Sequence, residues 1–422
     1  MRSSMVSMLG AAATVAAAPS YVMYFDQWHK DSLPDKSVTA GVNYVITSFA
    51  TSDLFVSGGT YTPFMPLDQV RALFDAGTKV CMAIGGWGDT AGFSTGSASE
   101  QSRQTYAANI AATLDRLGYD CVDVDWEYPG GNGQDYRQIP NDQKVQEIDN
   151  YPLLLKAIKE AIGTKELSIA VPARPGDMIA YTKEKVPEIN KWVDHVNVMT
   201  YDLMNRRDNV TAHHTSVKGS AQAIDIYIER GMDASKLILG FPFYAKFFTT
   251  KAGVQCTAPT GCETAVLELP DGSDPGLSGA VTFETANWVQ GSDFVNAVTN
   301  GQEDAEEGGQ WYWDAAKGVY WTWDTPKLIA RKFEEIVKAK NLGGVMAWSL
   351  AQDSHDWSHF KALQEGVKGL SSNTPSPSSS AAVTPPATPI VTPTSTPIGT
   401  PTTTATVSPT ATPTSKCGRR RK

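Results

Sequence analysis

Short runs that are apolar on both faces alternate with longer amphipathic stretches through most of the chain. The runs are Tyr21–Trp28, Val42–Ala50, Lys79–Gly85, Cys121–Trp126, Leu167–Pro172, His195–Tyr201, Leu237–Phe243 and Gly344–Leu350. A strand that is apolar on both sides belongs in a parallel sheet, because βαβ crossovers lay helices over both of its faces. Helical spacing appears between the runs at Leu67–Ala76, Ser99–Leu117, Tyr151–Ile162, Ser220–Arg230 and Pro326–Lys340. Eight strands with intervening helices in about 350 residues predict a closed (β/α)8 barrel. A doubly wound open sheet is the alternative. It lacks its usual support, since no Gly-x-Gly-x-x-Gly follows the first run.

One connection is too long for a loop. About 80 residues separate the seventh run from Pro326, where ordinary connections are several-fold shorter. Within them Gln310–Asp314 and Val319–Asp324 flank Ala315-Ala316-Lys317-Gly318, which reads as a hairpin. Residues 246–325 are therefore expected to form a small α+β insertion on the barrel rim, between strand seven and the last barrel helix.

The ends have a different composition. Arg2, the small and apolar run Met5–Ala18 and the triplet Ala16-Ala17-Ala18 predict an export signal over residues 1–18. A short buried N-terminal segment is the competing reading. Residues 371–415 hold no charged side chain and ten of the 25 prolines, among Ser, Thr and Ala. Such a stretch buries too little apolar surface to offset its ordering entropy, so an extended stalk with acceptors for O-glycosylation is expected. Residues 416–422 form a basic tail. The globular unit is thus assigned to residues 19–370, secreted and expected to act as a monomer, with the stalk able to hold it at a cell wall. No run approaches the ~20 apolar residues of a membrane span.

Charge and cysteines narrow the partners. A net charge of −9 argues against nucleic acid or an anionic membrane, both of which need a basic surface. The five cysteines are too few and too odd in number for a disulfide framework. Cys256 and Cys262 are close enough to close a small loop in an oxidising compartment. Cys81 and Cys121 lie in apolar runs and are expected to be small buried hydrophobes. Cys417 is left over in the tail. Asn209-Val210-Thr211 is a sequon for N-glycosylation.

The chemistry concentrates in Asp120-Cys-Val-Asp123-Val-Asp125-Trp-Glu127-Tyr-Pro129. Side chains alternate along a strand, so Asp123, Asp125 and Glu127 share one face, while Val122, Val124 and Trp126 share the other. In an antiparallel sheet this would be a solvated acidic stripe. In a parallel barrel the apolar side meets the helices and the acids point inward. Three adjacent buried carboxyl groups are costly unless they share protons or accept hydrogen bonds, which marks a working site. No histidine stands in the motif, and divalent ions usually recruit ligands from several elements, so neither metal nor cofactor is called for.

This arrangement resembles the D-x-x-D-x-D-x-E signature of glycoside hydrolase family 18, the chitinases, and Trp126, Tyr128 and Pro129 match its bacterial-type and fungal branch. Three more elements agree in order. Ala83-Ile84-Gly85-Gly86-Trp87 ends strand three, where the family has S-x-G-G. Met199-Thr200-Tyr201-Asp202 ends strand six, where it has M-x-Y-D. Trp348 ends strand eight, where it has the tryptophan floor of its cleft.

The resemblance implies a secreted chitinase of the fungal endochitinase type that cuts β-1,4 links between N-acetylglucosamine units with retention. Glu127 would be the acid/base, Asp125 would orient the substrate's 2-acetamido group, Asp123 would share a proton behind it, and Tyr201 would donate to the acetamido oxygen. Substrate contacts are implied for Tyr24, Phe49, Gly85, Gly86, Trp87, Tyr128, Met199, Asp202 and Trp348, and non-proline cis bonds at Ser48–Phe49 and Trp348–Ser349. Alternatives within the family are an endoglycosidase acting on N-glycans and a non-catalytic chitin-binding lectin. Two departures stand out: Ala83 lacks the hydroxyl that could support Asp123, and Ser349 stands where many relatives carry an acid. Trp28 and the hairpin residues Trp311, Trp313, Trp321 and Trp323 are further platforms, with core packing the stronger reading for the hairpin four. Asp26, His29, His213, His214, Arg206 and Arg207 are expected on solvated loops.

Overall fold

The computed structural model describes residues 18–372. The expected export signal (apart from Ala18), the stalk beyond Ser372, and the basic tail with Cys417 lie outside the described residues. Eight parallel strands close into a barrel: β1 (Ser20–Asp26), β2 (Tyr44–Ala50), β3 (Lys79–Gly85), β4 (Cys121–Asp125), β5 (Glu166–Pro172), β6 (His195–Met199), β7 (Leu237–Pro242) and β13 (Gly344–Trp348), with β13 pairing between β7 and β1. Every apolar run of the sequence supplies one of them.

The two faces of each strand meet different environments. On β4 the outward residues Val122, Val124 and Trp126 are fully buried in the large core between sheet and helices, where the Trp126 ring stacks on Phe93 at 5.2 Å. The helix Glu100–Leu117 covers this region, opened by a Ser99–Ser102 capping box and closed by Gly118 in the left-handed conformation. Inward residues form a second, smaller cluster that includes Tyr24, Ile46, Ala83, Ile238 and Met346.

That inner cluster corrects one expectation. Cys81 and Cys121 are not free hydrophobes but a disulfide with Cα atoms 4.4 Å apart. They are register partners on the adjacent strands β3 and β4, so both thiols face inward at the same level. Cys256 and Cys262 are also bonded to each other.

After β7 a single residue, Phe243, leads into the insertion. Its five strands are β8 (Tyr244–Thr249), β9 (Ser278–Thr282), β10 (Gln302–Asp304), β11 (Gly309–Asp314) and β12 (Val319–Trp323), in the order β10-β11-β12-β8-β9. β11 and β12 pair as the antiparallel hairpin read from the sequence. The sheet and the helix Asp293–Asn300 enclose their own core of Ala245, Phe283, Phe294, Ala297, Trp321 and Trp323. Trp311 and Trp313 pack beside Met204, Phe248, Leu267 and Tyr320 in a separate cluster. All four hairpin tryptophans are thus packing residues. No helix among the described residues is long and apolar enough to cross a membrane.

Candidate active site

β4 delivers its acids at three depths. Asp123 is fully enclosed, Asp125 is 4% exposed, and Glu127, just past the strand end, is 9% exposed. Asp123 accepts hydrogen bonds from Tyr24 Oη (2.9 Å), Ser168 Oγ (2.6 Å) and Asn197 Nδ2 (3.1 Å). Burial pushes its carboxyl up to about 6, with those three donors pulling back. Asp125 is raised well above the usual range by burial and by its acidic neighbours Glu127 and Asp123. Burial also lifts Glu127 to about 7, opposed by a hydrogen bond with Tyr128 and reinforced by the charges of Asp202 and Asp177. A carboxyl that keeps its proton near neutral pH is equipped to donate it.

Two glycines bring the end of β3 flush against this row. Gly85 and Gly86 have φ of 106° and 92°, and a Cβ on Gly85 would lie 2.2 Å from the Asp125 carbonyl oxygen. Only glycine adopts that backbone at that spacing. The Gly86 N–H donates to the same carbonyl at 2.9 Å.

Aromatic rings build the cleft above the acids. Trp348 ends β13, stacks on Phe49 at 5.6 Å and leans on Tyr24 at 5.6 Å. Trp28 reaches Phe49, and Trp87 meets Tyr128 edge-on. Non-proline cis peptides stand at Ser48–Phe49 and Trp348–Ser349, where the resemblance implies them, and at Glu127–Tyr128, which it did not flag. The cleft encloses about 540 Å³, and Tyr24, Phe49, Gly85, Gly86, Trp87, Asp125, Glu127, Tyr128, Met199, Tyr201, Asp202 and Trp348 all line it. Asp123 sits behind this lining. Asn209 lies elsewhere, on an exposed stretch that pairs with the insertion.

Several side chains that the sequence did not single out belong here too. Lys246 and Tyr244 of β8 reach in from the insertion: Lys246 Nζ is 3.1 Å from Asp202, and the Tyr244 hydroxyl donates to it at 2.9 Å. Burial acts upward on the Asp202 carboxyl, and the Lys246 ammonium, with the His214 ring 3.7 Å away, overrides it, holding Asp202 well below the usual range. Arg207, which the sequence placed on a solvated loop, spans the far wall. It donates to the carbonyls of Asn132 and Gly133, and its guanidinium lies over the rings of Tyr136 (4.0 Å) and Trp87 (5.5 Å).

The solvated-loop expectation fails for three residues. His214 is fully buried, His213 is buried against Asp304, and Asp26 is enclosed, because the insertion and the last barrel turn close over them. Asp26 accepts hydrogen bonds from the Trp28 and His29 amides and from Ser349, so the unusual serine has a partner. Arg206 and Arg207 are half-buried and paired with Glu268 rather than free in solvent. Among the described residues no group of three or more His, Cys, Asp or Glu could hold a metal ion.

Comparison with known proteins agrees with this geometry. The family model "Glycosyl hydrolases family 18" matches residues 20–353. "Chitinase 1" of Aphanocladium album is 29% identical over 283 residues, covering 64% of this chain and 60% of the relative. "Endochitinase 1" of Metarhizium anisopliae is 27% identical over 307 residues, covering 70% and 64%. The chain thus spans less than two thirds of the length of either relative. A mutant family 18 chitinase from Cycas revoluta, solved with (GlcNAc)4, superposes with a TM-score of 0.64 at 21% identity over 82% of this chain and 99% of that one, which speaks for the fold. From the match over almost the whole barrel it follows that the chain belongs to glycosyl hydrolases family 18.

Proposed function

We propose that the protein is a secreted chitinase that hydrolyses β-1,4 links between N-acetylglucosamine units inside chitin chains, with retention and with the substrate's own acetamido group as nucleophile. The observation that carries this is the inward ladder of Asp123, Asp125 and Glu127, with the Glu127 carboxyl, pushed up to about 7 by burial, in one cleft with Tyr201 and Trp348. The names of the relatives support the substrate class, and "endochitinase" supports internal cutting.

In the first step Glu127 gives its proton to the glycosidic oxygen, the bond from that oxygen to C1 breaks, and the leaving sugar departs as an alcohol. The acetamido carbonyl oxygen bonds to C1 from the opposite face, giving an oxazolinium ion and a Glu127 carboxylate. Asp125 accepts the acetamido N–H and steadies the positive ring, while the Tyr201 hydroxyl donates to the acetamido oxygen and Asp202 contacts the same sugar. Then Glu127 takes a proton from water, the water oxygen bonds to C1 from the vacated face, and the ring reopens. Two inversions restore the β configuration. Family 18 is the recognised exception to the two-carboxylate retaining scheme.

The apolar C–H face of a pyranose needs flat apolar partners. Trp348 serves as the floor, and Trp28 and Trp87 as platforms on either side, exposed by 62% and 49%. Export is supported by the N-terminal composition and by two disulfides, which persist in oxidising compartments. The exposed Asn209 is the proposed N-glycan acceptor.

The test is release of short oligosaccharides from colloidal chitin, with an early fall in viscosity of a soluble chitin derivative. Glu127→Gln should abolish turnover while chitin binding persists. Equal inactivity of wild type and variant on every form of chitin would overturn the proposal, and faster cleavage of a high-mannose glycopeptide would redirect it to N-glycans.

A further inference from the structure

The aromatic lining of the cleft falls into two sets. Trp348 touches Tyr24 and Phe49, and Phe49 touches Trp28. Past Glu127 stands the other set: Trp87 against Tyr128, with the Arg207 guanidinium 5.5 Å from the Trp87 ring and 4.0 Å from the Tyr136 ring. With the reacting sugar over Trp348, the sugar released in the first step lies along this second set. The reaction outlined above gives Arg207 nothing to do, yet its guanidinium is fixed from three directions. Two N–H groups go to the carbonyls of Asn132 and Gly133 at 2.8 and 2.9 Å. Its Nε lies 3.8 Å from Glu268, a carboxylate only 4% exposed that reaches over from the segment between β8 and β9.

Glu268 is where three loops meet. Arg206 after β6 donates to it through Nε at 3.1 Å, Tyr136 after β4 donates to it through its hydroxyl, and Arg137 comes within 3.7 Å. The segment that carries it is stapled by Cys256–Cys262 and bonded along the loop after β6, where the Thr211 amide donates to the Cys262 carbonyl at 2.7 Å. A carboxylate this buried is stable only among cations and donors, and it fixes where they stand.

A guanidinium holds five N–H donors in a rigid fork. The two carbonyls and Glu268 face three of them, and Arg207 lines the cleft with the others. Once substrate displaces water, donors turned to the cleft need an acceptor. The strongest neutral acceptor on chitin is the acetamido carbonyl. A deacetylated sugar brings an ammonium instead, which accepts nothing and meets a like charge. The acids of this wall are already engaged: Asp177 by Arg174 (3.8 Å) and Asn132 (3.2 Å), Asp274 by Arg206 (3.9 Å), and Asp202 by Lys246 (3.1 Å). We infer that Arg207 is a specificity-determining residue that selects an N-acetylated sugar on the leaving side of the scissile bond, with Glu268 as the positioning residue that sets its guanidinium. This rests on the chitinase reading for which sugar leaves.

The full-length protein acting on soluble chitosan, about half acetylated, at pH 5 gives the readout, because each cut creates two ends. The new reducing end is the sugar that reacted. Its acetamido group is the nucleophile, so that end should be N-acetylated in wild type and in every variant. The new non-reducing end is the leaving sugar. In wild type N-acetylated sugars should outnumber free amines there by about 10-fold or more, the discrimination expected of one charged hydrogen bond. Arg207→Met should bring the ratio close to that of the substrate, and should raise KM for fully acetylated oligomers more than it lowers kcat. Arg207→Gln, neutral but still able to donate to a carbonyl, should act in the same direction, which keeps the test intact if the first variant folds poorly. Glu268→Gln should lower the ratio several-fold, a change in end composition that lost stability alone would not produce. Unselected non-reducing ends in wild type, or a ratio unchanged in both Arg207→Gln and Glu268→Gln, would overturn the inference. Free amines at the new reducing ends, with selection intact at the other, would instead retain it and remove the acetamido nucleophile from the proposed reaction.

Discussion

At the barrel mouth Trp28 and Trp87 are 62% and 49% exposed, whereas in the inserted sheet Trp321 and Trp323 are 5% and 3% exposed. Both regions are rich in the same residue, and its position on the strand separates the two uses. Trp28, Trp87 and Trp348 stand at or just past the C-terminal ends of β1, β3 and β13, where a parallel barrel opens its site. Trp321 and Trp323 alternate along the inner side of an antiparallel strand that packs on a helix. Aromatic content alone therefore does not mark a sugar-binding surface. Location at a strand terminus is what puts the three proposed platforms in the cleft lining.

Five perturbations, in falling order of effect, test this division. The largest effect belongs to Glu127→Gln, which should lower kcat by roughly 10⁴-fold, the upper range for loss of a general acid, with melting temperature unchanged. Trp321→Ala should do the reverse. It should cost about 3–5 kcal/mol in denaturant unfolding, while the specific activity of the folded fraction stays within about twofold. A loss of activity without loss of stability there would erase the distinction. Cys81→Ala with Cys121→Ala should cost about 2–4 kcal/mol, seen as a lowered midpoint, because the bond closes a 40-residue separation in the unfolded chain. The pH profile comes next. Glu127 must be protonated to act and titrates at about 7, so kcat/KM should fall about tenfold per pH unit above that value. Trp87→Ala should raise KM about fivefold for long oligomers and less for short ones, with unfolding unaffected, as loss of one stacked ring implies.

The barrel was legible because parallel strands buried on both faces leave unbroken apolar runs, and all eight appear. The acids were legible because a two-residue repeat of carboxylates inside such a run has no structural explanation. Ser168 and Asn197 were not, since one serine or one asparagine in an apolar strand carries no pattern. The Cys81–Cys121 bond was hidden for a similar reason: register between β3 and β4 is set by closure of the barrel, which no local spacing records. His213 and His214 misled because a polar loop looks solvated until the insertion that covers it is known. Lys246 was passed over as the first residue of an appendage, although its amine ends inside the cleft.

The joint between β7 and β8 is one residue long, and it carries an engineering consequence. Tyr244 and Lys246 leave the barrel almost at once and turn back over Asp202. An attempt to shrink the protein by trimming at that junction would therefore strip two side chains from the catalytic wall along with the appendage. Grafts meant to lengthen or shorten the groove belong beyond β8 and must spare Glu268, whose carboxylate pairs with Arg206 and Arg207.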